Sequence, residues 1–173
     1  LVKAWFHTYK LPIVLTNCSN NYGPLQFPEK LIPLVIFKAF QNEKIPIYGD
    51  GLNIRDWLYV EDHCIAIFDL MQKGVVGDSY NIGSNSEKSN IEIVQTICKI
   101  LDSKLPRKNG KTYEELIDYI DDRPGHDFRY ALDISKIQNE IKWSPKVTFS
   151  KGIEMTIDWY LENKSWWKNL IQN

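Results

Sequence analysis

The polar side chains best suited to binding a small anionic molecule lie in three short segments, residues 17–24, 54–62 and 122–127. Each segment sets charged or amide side chains beside glycine, proline and aromatic residues. Folding alone gains little from such grouping, because polar groups that leave water need partners. The three segments therefore predict a surface that binds a polar, anionic small molecule.

Asn20 and Asn21, in the first segment, carry amide groups that donate and accept hydrogen bonds at once. In a loop after a buried strand, such a pair can orient a phosphate group or a nicotinamide ring. Before Gly23 and Pro24 they could equally form a turn in which an asparagine side chain bonds the nearby backbone. From these residues alone, both interpretations stay open.

Arg55 is the cation of the second segment. Its planar guanidinium can bind a diphosphate through two parallel hydrogen bonds. A surface ion pair with Asp56 or Asp62, which would stabilise the fold little, is the alternative.

Arg123 and His126 are the cations of the third segment, on either side of Pro124 and Gly125. The Pro-Gly pair predicts a rigid turn that brings the two side chains close together. In a chain whose net charge is only −1, these local cations favour a diphosphate site.

Other kinds of site lack their usual residues. His7, His63 and His126 are far apart and no cysteines are paired, so we expect no metal site. Gly49 and Gly51 precede a predicted strand rather than a helix, unlike the glycine-rich fingerprint of dinucleotide-binding proteins.

Tyr160 and Lys164 have the Tyr-x-x-x-Lys spacing of short-chain dehydrogenases, in which one helical turn brings the two side chains together. The pair stands at the end of the last predicted helix, beside Trp166 and Trp167, with no cofactor loop before it. We therefore expect both residues to be structural.

The composition is that of an ordinary globular protein, with 43% hydrophobic and 25% charged residues among 173. The small net charge predicts no binding to nucleic acid or to an anionic membrane surface, and no apolar run is long enough to span a bilayer. Cys18, Cys64 and Cys98 are an odd number without C-x-x-C spacing, which predicts buried, reduced thiols in a cytosolic protein. The chain starts at Leu1 within a helical pattern, as expected for a piece of a longer protein.

Helical and strand patterns alternate along the chain. Helices are predicted up to Lys10 and near residues 32–42, 61–71, 93–101, 133–141 and 150–163, and strands near 13–18, 45–48, 54–60, 80–83 and 117–120. Ser89 and Glu92 have capping-box spacing before one helix. This pattern favours an α/β fold, the end of a doubly wound Rossmann-type parallel sheet followed by a small mixed α/β substrate-binding lobe. We assign residues 1–45 to the sheet remnant and 46–173 mostly to the lobe, with the chain interleaved between them.

These segments, in this order and spacing, resemble the C-terminal half of the dTDP-glucose 4,6-dehydratases of the extended short-chain dehydrogenase/reductase family. The matching motifs include Asn-Asn-Tyr-Gly-Pro from residue 20, Phe-Pro-Glu-Lys-Leu-Ile-Pro from 27, Arg-Asp-Trp-Leu-Tyr-Val-Glu-Asp-His from 55 and Asp-Arg-Pro-Gly-His-Asp from 122. Tyr-Gly-Pro is shared with sugar-nucleotide epimerases and decarboxylases. The longer motifs point more narrowly to the dehydratases.

The resemblance implies a role for individual residues. It places Asn21 near the nicotinamide of NAD and Asn20 against the sugar diphosphate. It assigns the binding of a nucleotide-diphosphate sugar to Asn20, Lys30, Leu31, Pro46, Ile47, Tyr48, Arg55, Asn90, Asp122, Arg123, Pro124, Gly125 and His126.

The resemblance also implies a reaction, in which NAD takes a hydride from sugar C4, water leaves across C5 and C6, and the hydride returns to C6. The family's catalytic tyrosine and lysine, its acid/base pair and its glycine-rich loop lie upstream of the part that matches, so no catalytic residue is expected in this chain. The full-length enzyme is expected to be a cytoplasmic homodimer. A UDP-sugar dehydratase, epimerase or decarboxylase, or a non-catalytic nucleotide-sugar binding module, are the alternatives.

Overall fold

The computed structural model describes residues 1–171, together with the side chains of residues 1–167. Its α-helices are α1 (Val2–Tyr9), α2 (Leu31–Gln41), α3 (Val60–Lys73), α4 (Asn90–Lys104), α5 (Ser135–Ile141), α6 (Phe149–Glu162) and α7 (Lys164–Ile171). Its strands are β1 (Leu15–Cys18), β2 (Asn20–Tyr22), β3 (Ile45–Tyr48), β4 (Ile54–Tyr59), β5 (Ser79–Ile82), β6 (Glu87–Ser89), β7 (Ile117–Ile120) and β8 (Arg129–Tyr130). A 3-10 turn, Tyr113–Leu116, precedes β7.

Parallel pairing dominates the described strands. β1 pairs with β5, and β3 pairs with β7, both in parallel. β4 is the centre of a third sheet, with β2 and β8 parallel to it and β6 antiparallel. The predicted α/β class is confirmed. The pairing of β1 with β5 joins the predicted sheet remnant, residues 1–45, to the predicted lobe, residues 46–173. The division between these two parts stays a prediction.

Two clusters of buried side chains hold these layers together. The larger one packs α2, α4 and α6 against β3 and β4, around residues such as Ile36, Ile97 and Ile157. The smaller one packs α3 and α5 against β4 and β5, around Leu58 and Ile82. Burial of apolar surface on this scale is the main term that stabilises the fold.

The start of α4 follows directly from its sequence. Glu92 N donates to Ser89 Oγ at 3.4 Å, and Ser89 N donates to Glu92 Oε2 at 2.7 Å. Each bond satisfies a backbone or side-chain group that the helix end would otherwise leave unpaired. The predicted capping box is confirmed, and it fixes where α4 begins.

Several short elements were not predicted. β2, β6 and β8 have two or three residues each, and α7 continues the chain after α6. Such short strands carry too few residues for an alternating pattern, and only their neighbours in space make them strands. The loop predicted for Asn20 and Asn21 was wrong, because both residues lie in β2.

The cysteines also differ from expectation. Cys98 is buried in the larger core, where burial raises the pKa of its thiol to about 12. Cys18 and Cys64 are exposed, so the prediction of burial was wrong for both. Their flanking apolar residues do not predict which face of β1 or α3 carries them.

Helices α1 to α7, over the residues described, are each too short or too polar to cross a membrane.

Candidate functional site

A cleft of about 440 Å³ opens between the ends of α2, β3, β4 and α4 and the loop after β7. It is lined by Asn20, Glu29, Lys30, Leu31, Leu34, Pro46, Ile47, Tyr48, Arg55, Trp57, Asn90, Arg123 and His126. These residues come from six separate stretches of the sequence. Most of the residues predicted to bind substrate therefore lie around one cavity, and their individual roles stay predictions.

β4 contributes to the cleft through alternate residues. Arg55 and Trp57 line it, whereas Leu58 belongs to the smaller core and Asp56 lies on the opposite face. Successive side chains of a strand point to opposite faces, so a residue two positions from Arg55 shares its face. The Asp56 carboxylate accepts hydrogen bonds from Ser84 N and Oγ, at 2.8 and 2.6 Å, and is unavailable to the cleft.

The two neighbouring asparagines face different cavities. Asn20 is opposite Trp57 in the β2–β4 pairing and lines the cleft. Asn21, one residue on, lines a second cavity of about 460 Å³ beside Gly23, Pro24 and Val60. Their position in a strand explains this, because a shift of one residue reverses the side chain.

Arg55 is a buried cation without a carboxylate partner among the described residues. Only 9% of its surface is exposed. Nη1 donates to the carbonyl oxygen of Ile54 at 2.6 Å, and Nη2 donates to that of Asp127 at 2.8 Å. Neither predicted surface pair forms, since Asp56 bonds Ser84 and Asp62 accepts from the backbone of residues 146 and 147. Its positive charge is left to interact with whatever enters the cleft.

The loop after β7 brings Arg123 and His126 to the cleft. β7 runs parallel to β3 with Ile120 opposite Tyr48, which leads the loop past the end of β3. The His126 ring meets the Tyr48 ring edge-on, with centroids 6.5 Å apart, and its Nδ1 lies 2.7 Å from Asp122 Oδ1. This hydrogen bond is the main reason that the pKa of the Asp122 carboxyl lies below its ordinary value. Arg123 lines the cleft, and its side chain has no acceptor among the described residues.

Two helices begin at the cleft. Leu31 is the first residue of α2 and Asn90 the first of α4, and both line the cavity. The N-terminus of a helix carries partial positive charge, which adds to the charge of Arg55 and Arg123. Glu29, the one carboxylate that lines the cleft, is paired with Lys30 at 2.8 Å. The arrangement suits an anion with several oxygens, such as a diphosphate.

Leu31, Leu34, Pro46 and Ile47 give part of the cleft an apolar wall, and Tyr48 adds an aromatic ring. An aromatic and aliphatic surface beside a cationic one suits a ligand with a flat ring at one end and a charged group at the other.

Asn21, which lines the second cavity, carries an unsatisfied acceptor. Asn21 Nδ2 donates to Ser19 O at 3.0 Å, but the buried Oδ1 of Asn21 has no hydrogen-bond partner among the described atoms. Gly23, with φ +148°, lets the chain pass close to α3, since a Cβ there would lie 2.6 Å from Val60 Cγ1. A buried acceptor without a partner costs free energy and calls for a donor.

Some predicted residues do not line the cleft. Asp122, Pro124 and Gly125 shape the loop instead, Asp122 through its bond to His126 and Gly125 through a left-handed φ of +70°. Glu29, Leu34 and Trp57 line the cleft but were not predicted. The sequence did contain the means to find two of them: Leu34 is one helical turn after Leu31, and Trp57 is two strand positions after Arg55.

Tyr160 lies in the core of the folded chain, and the structural role predicted for it and for Lys164 stays a prediction. Tyr160 is 2% exposed, and its hydroxyl donates to Gln26 O at 2.5 Å. Burial raises the pKa of this phenol far above its ordinary value, the opposite of what a catalytic tyrosine needs. Within the described residues, no group of histidine, cysteine or acidic side chains could hold a metal ion.

The chain matches a family profile, the sequences of known proteins and solved structures. A sequence profile described as GDP-mannose 4,6 dehydratase matches residues 1–156. The dTDP-glucose 4,6-dehydratase of Xanthomonas campestris pv. campestris is 57% identical over 171 residues, which are 99% of this chain and 49% of that protein. The chain thus spans about half the length of the curated relatives it matches.

Solved structures agree. The dTDP-glucose 4,6-dehydratase of Bacillus anthracis, in complex with NAD, has a TM-score of 0.87 and 50% identity, over 97% of this chain and 50% of that one. A UDP-glucuronic acid 4-epimerase from Bacillus cereus, in complex with UDP-glucuronic acid and NAD, has a TM-score of 0.78 and 25% identity, over 92% of this chain and 48% of that one. The resemblance to dTDP-glucose 4,6-dehydratases is confirmed.

Proposed function

Because the chain belongs to the GDP-mannose 4,6-dehydratase family, we propose that it is the substrate-binding part of a dTDP-glucose 4,6-dehydratase, corresponding to the C-terminal half of that enzyme. The whole enzyme converts dTDP-glucose to dTDP-4-keto-6-deoxyglucose and water with the help of NAD. The observation that carries the proposal is Arg55, buried and without a carboxylate partner among the described residues, in a cleft lined by most of the predicted residues.

The charge of the cleft supports a diphosphate as the ligand. Arg55 and Arg123 provide guanidinium groups, and His126 adds a ring nitrogen held by Asp122. A buried guanidinium is costly when it lacks a counter-charge, and a diphosphate supplies one in the geometry that its fork prefers. Tyr48 and the apolar wall then bind the nucleoside, and Asn20 contacts the sugar diphosphate.

The second cavity supports the binding of NAD. Asn21 lines this cavity, and we assign its Oδ1, which has no partner among the described atoms, as the acceptor for the amide N–H of a nicotinamide carboxamide. NAD supplies the hydride acceptor of the reaction. Asn21 orients the nicotinamide, and most contacts to the rest of NAD come from the other half of the enzyme.

The chain on its own is expected to be inactive. Tyr160 is buried and hydrogen-bonded within the fold, which supports a structural role for it. We assign the catalytic tyrosine and lysine and the acid/base pair to the remainder of the enzyme.

The full-length enzyme is proposed to be a cytoplasmic homodimer. Three residues on one side of α1, Leu1, Trp5 and Tyr9, are exposed, which supports a helix-to-helix contact between subunits. The three cysteines are free, as expected in a reducing compartment.

A second candidate is a UDP-sugar dehydratase, epimerase or decarboxylase of the same family. The similarity to an epimerase solved in complex with UDP-glucuronic acid and NAD favours it. A non-catalytic nucleotide-sugar binding module is the remaining alternative.

Competition between nucleotides tests the proposal. The chain is titrated with dTDP, UDP and GDP by calorimetry, and the full-length enzyme is assayed for the 4-keto sugar product with dTDP-glucose and UDP-glucose. We expect dTDP to bind more tightly than the other two. Preference for UDP would favour the second candidate, absence of product in a full-length enzyme that binds dTDP would favour a binding module, and absence of any binding would overturn the assignment of the cleft.

A further inference from the structure

We propose that Asn53 is a positioning residue, one that aims Arg55 and holds the loop of residues 122–127 against the cleft. Asn53 does not line the cleft itself. It lies two residues before Arg55, is 5% exposed, and bonds to two of the elements that form the cavity. The proposal rests on the proposed function, because it explains how the diphosphate site is assembled.

Asn53 shares an acceptor with Arg55. Its Nδ2 donates to the carbonyl oxygen of Asp127 at 3.2 Å, and Arg55 Nη2 donates to the same oxygen at 2.8 Å. A carbonyl oxygen has two lone pairs, so both bonds form together. Asn53 thus fixes the acceptor on which the orientation of Arg55 depends.

The same carbonyl anchors the end of the loop that carries Arg123 and His126. Beyond it, Ile54 N donates to Phe128 O at 2.7 Å and joins the loop to β4. Among the described atoms, two side chains of β4 and of the turn before it form hydrogen bonds to residues 122–127. These two side chains are Asn53 and Arg55. Loss of the Asn53 amide would leave Arg55, the residue that must also bind the ligand, as the one side chain of this group that still bonds residues 122–127 among the described atoms.

The backbone of Asn53 bonds the start of α4. Asn90 N donates to Asn53 O at 3.1 Å, and Ile91 N donates to Gly51 O at 3.0 Å. The turn before β4 therefore occupies the first N–H groups of α4 and places the Asn90 side chain in the cleft. One residue links the start of β4, the start of α4 and the loop of residues 122–127, and its amide bonds the loop without adding charge.

The experiment compares Asn53→Ala with wild type in two titrations of the 173-residue chain, one with dTDP and one with thymidine. We expect Asn53→Ala to raise the dissociation constant for dTDP about tenfold, as for the loss of one oriented hydrogen bond, and to leave that for thymidine almost unchanged. The matched control is Asn81→Ala, which removes an amide-to-carbonyl bond of 3.1 Å to Asp133 O outside the cleft. A merely structural role would weaken both ligands together.

A double-mutant cycle sharpens the test. In an Arg55→Ala background, Asn53→Ala is expected to weaken dTDP binding by less than it does in wild type, since part of its effect passes through Arg55. Fully additive losses would overturn the proposal. Should Asn53→Ala unfold the chain, Asn53→Asp keeps the side-chain shape, removes the donor and attracts Arg55, and is expected to weaken dTDP binding in the same direction.

Hydrogen exchange on the ligand-free chain separates the two proposals. Amides of residues 121–128 are expected to exchange faster in Asn53→Ala than in wild type, with α6 unchanged. Unchanged exchange in the loop would overturn the positioning role even if dTDP binds. If wild type does not bind dTDP but residues 121–128 exchange faster in Asn53→Ala, the proposed function is overturned and the positioning role of Asn53 is not.

Discussion

The guanidinium of Arg55 is bound to the backbone carbonyl oxygen of Asp127, with Nη2 donating at 2.8 Å. A carbonyl is a neutral acceptor, so the bond orients the fork without cancelling its charge. A carboxylate in the same place would have made a closed ion pair with little left for a ligand. The choice of acceptor is what makes a buried arginine a candidate anion site.

Replacing Arg55 is the first test of that site. Arg55→Ala is expected to weaken dTDP binding by about 1.5–3 kcal/mol, the range for hydrogen bonds to a charged group. Calorimetric titration measures it. Arg129→Ala is the control, because Arg129 pairs with Glu87 on the surface and does not line the cleft. Equal affinity in wild type and Arg55→Ala would remove Arg55 from the site.

The Asp122–His126 pair predicts a dependence on pH. The pKa of Asp122 is lowered in the folded chain, first by its hydrogen bond with His126. Its stabilising effect is therefore full above the ordinary aspartate pKa of about 3.9 and is lost as pH falls through the lower folded value. Asp122→Asn should reduce the free energy of unfolding at about pH 6 and reduce it by less at about pH 3.

Urea unfolding of wild type and Asp122→Asn at both pH values measures the effect. Asp118→Asn is a control, because Asp118 carries the same charge on β7 and pairs with Lys44 at the surface. A deficit that is equally large at both pH values would show that the ionised carboxylate is not what His126 binds.

The capping box of α4 predicts a loss of stability. Ser89→Ala removes the hydroxyl that accepts from Glu92 N and should lower the free energy of unfolding by about 1 kcal/mol. It should also weaken dTDP binding slightly, because Asn90 follows the cap directly. Thr96→Ala, in the middle of the same helix, removes a hydroxyl without removing a cap and should cost much less. Equal losses in the two variants would argue against the cap.

Replacing Tyr160 is predicted to change stability but not turnover. Tyr160→Phe removes the hydrogen bond to Gln26 O and should lower the free energy of unfolding by about 1 kcal/mol. The full-length enzyme with this change should keep its turnover per folded molecule. Tyr9→Phe, at an exposed position, serves as the control for stability. A stable Tyr160→Phe enzyme without turnover would make Tyr160 catalytic after all.

Local patterns determined a large part of this fold. The strands β3 and β7 occupy the predicted residues 45–48 and 117–120, and the box formed by Ser89 and Glu92 starts its helix as expected. These features depend on neighbours in sequence, namely side-chain alternation and a cap that reaches three residues along. The same holds for the turn at Pro124 and Gly125. Arg55, Arg123 and His126 were identified because an unusual residue type is visible without knowledge of the fold.

Tertiary structure alone decided how those residues are shared between cavities. Asn20 and Asn21 are equivalent as a sequence pair, but pairing of β2 with β4 turns one to the cleft and the other to the second cavity. Arg55 does not form an ion pair with Asp56 because Ser84 already binds that carboxylate. Ser84 is 28 residues after Asp56 in the sequence. Both outcomes come from contacts between distant segments. Residue types therefore specified the chemistry available, and long-range packing specified which groups were left free to use it.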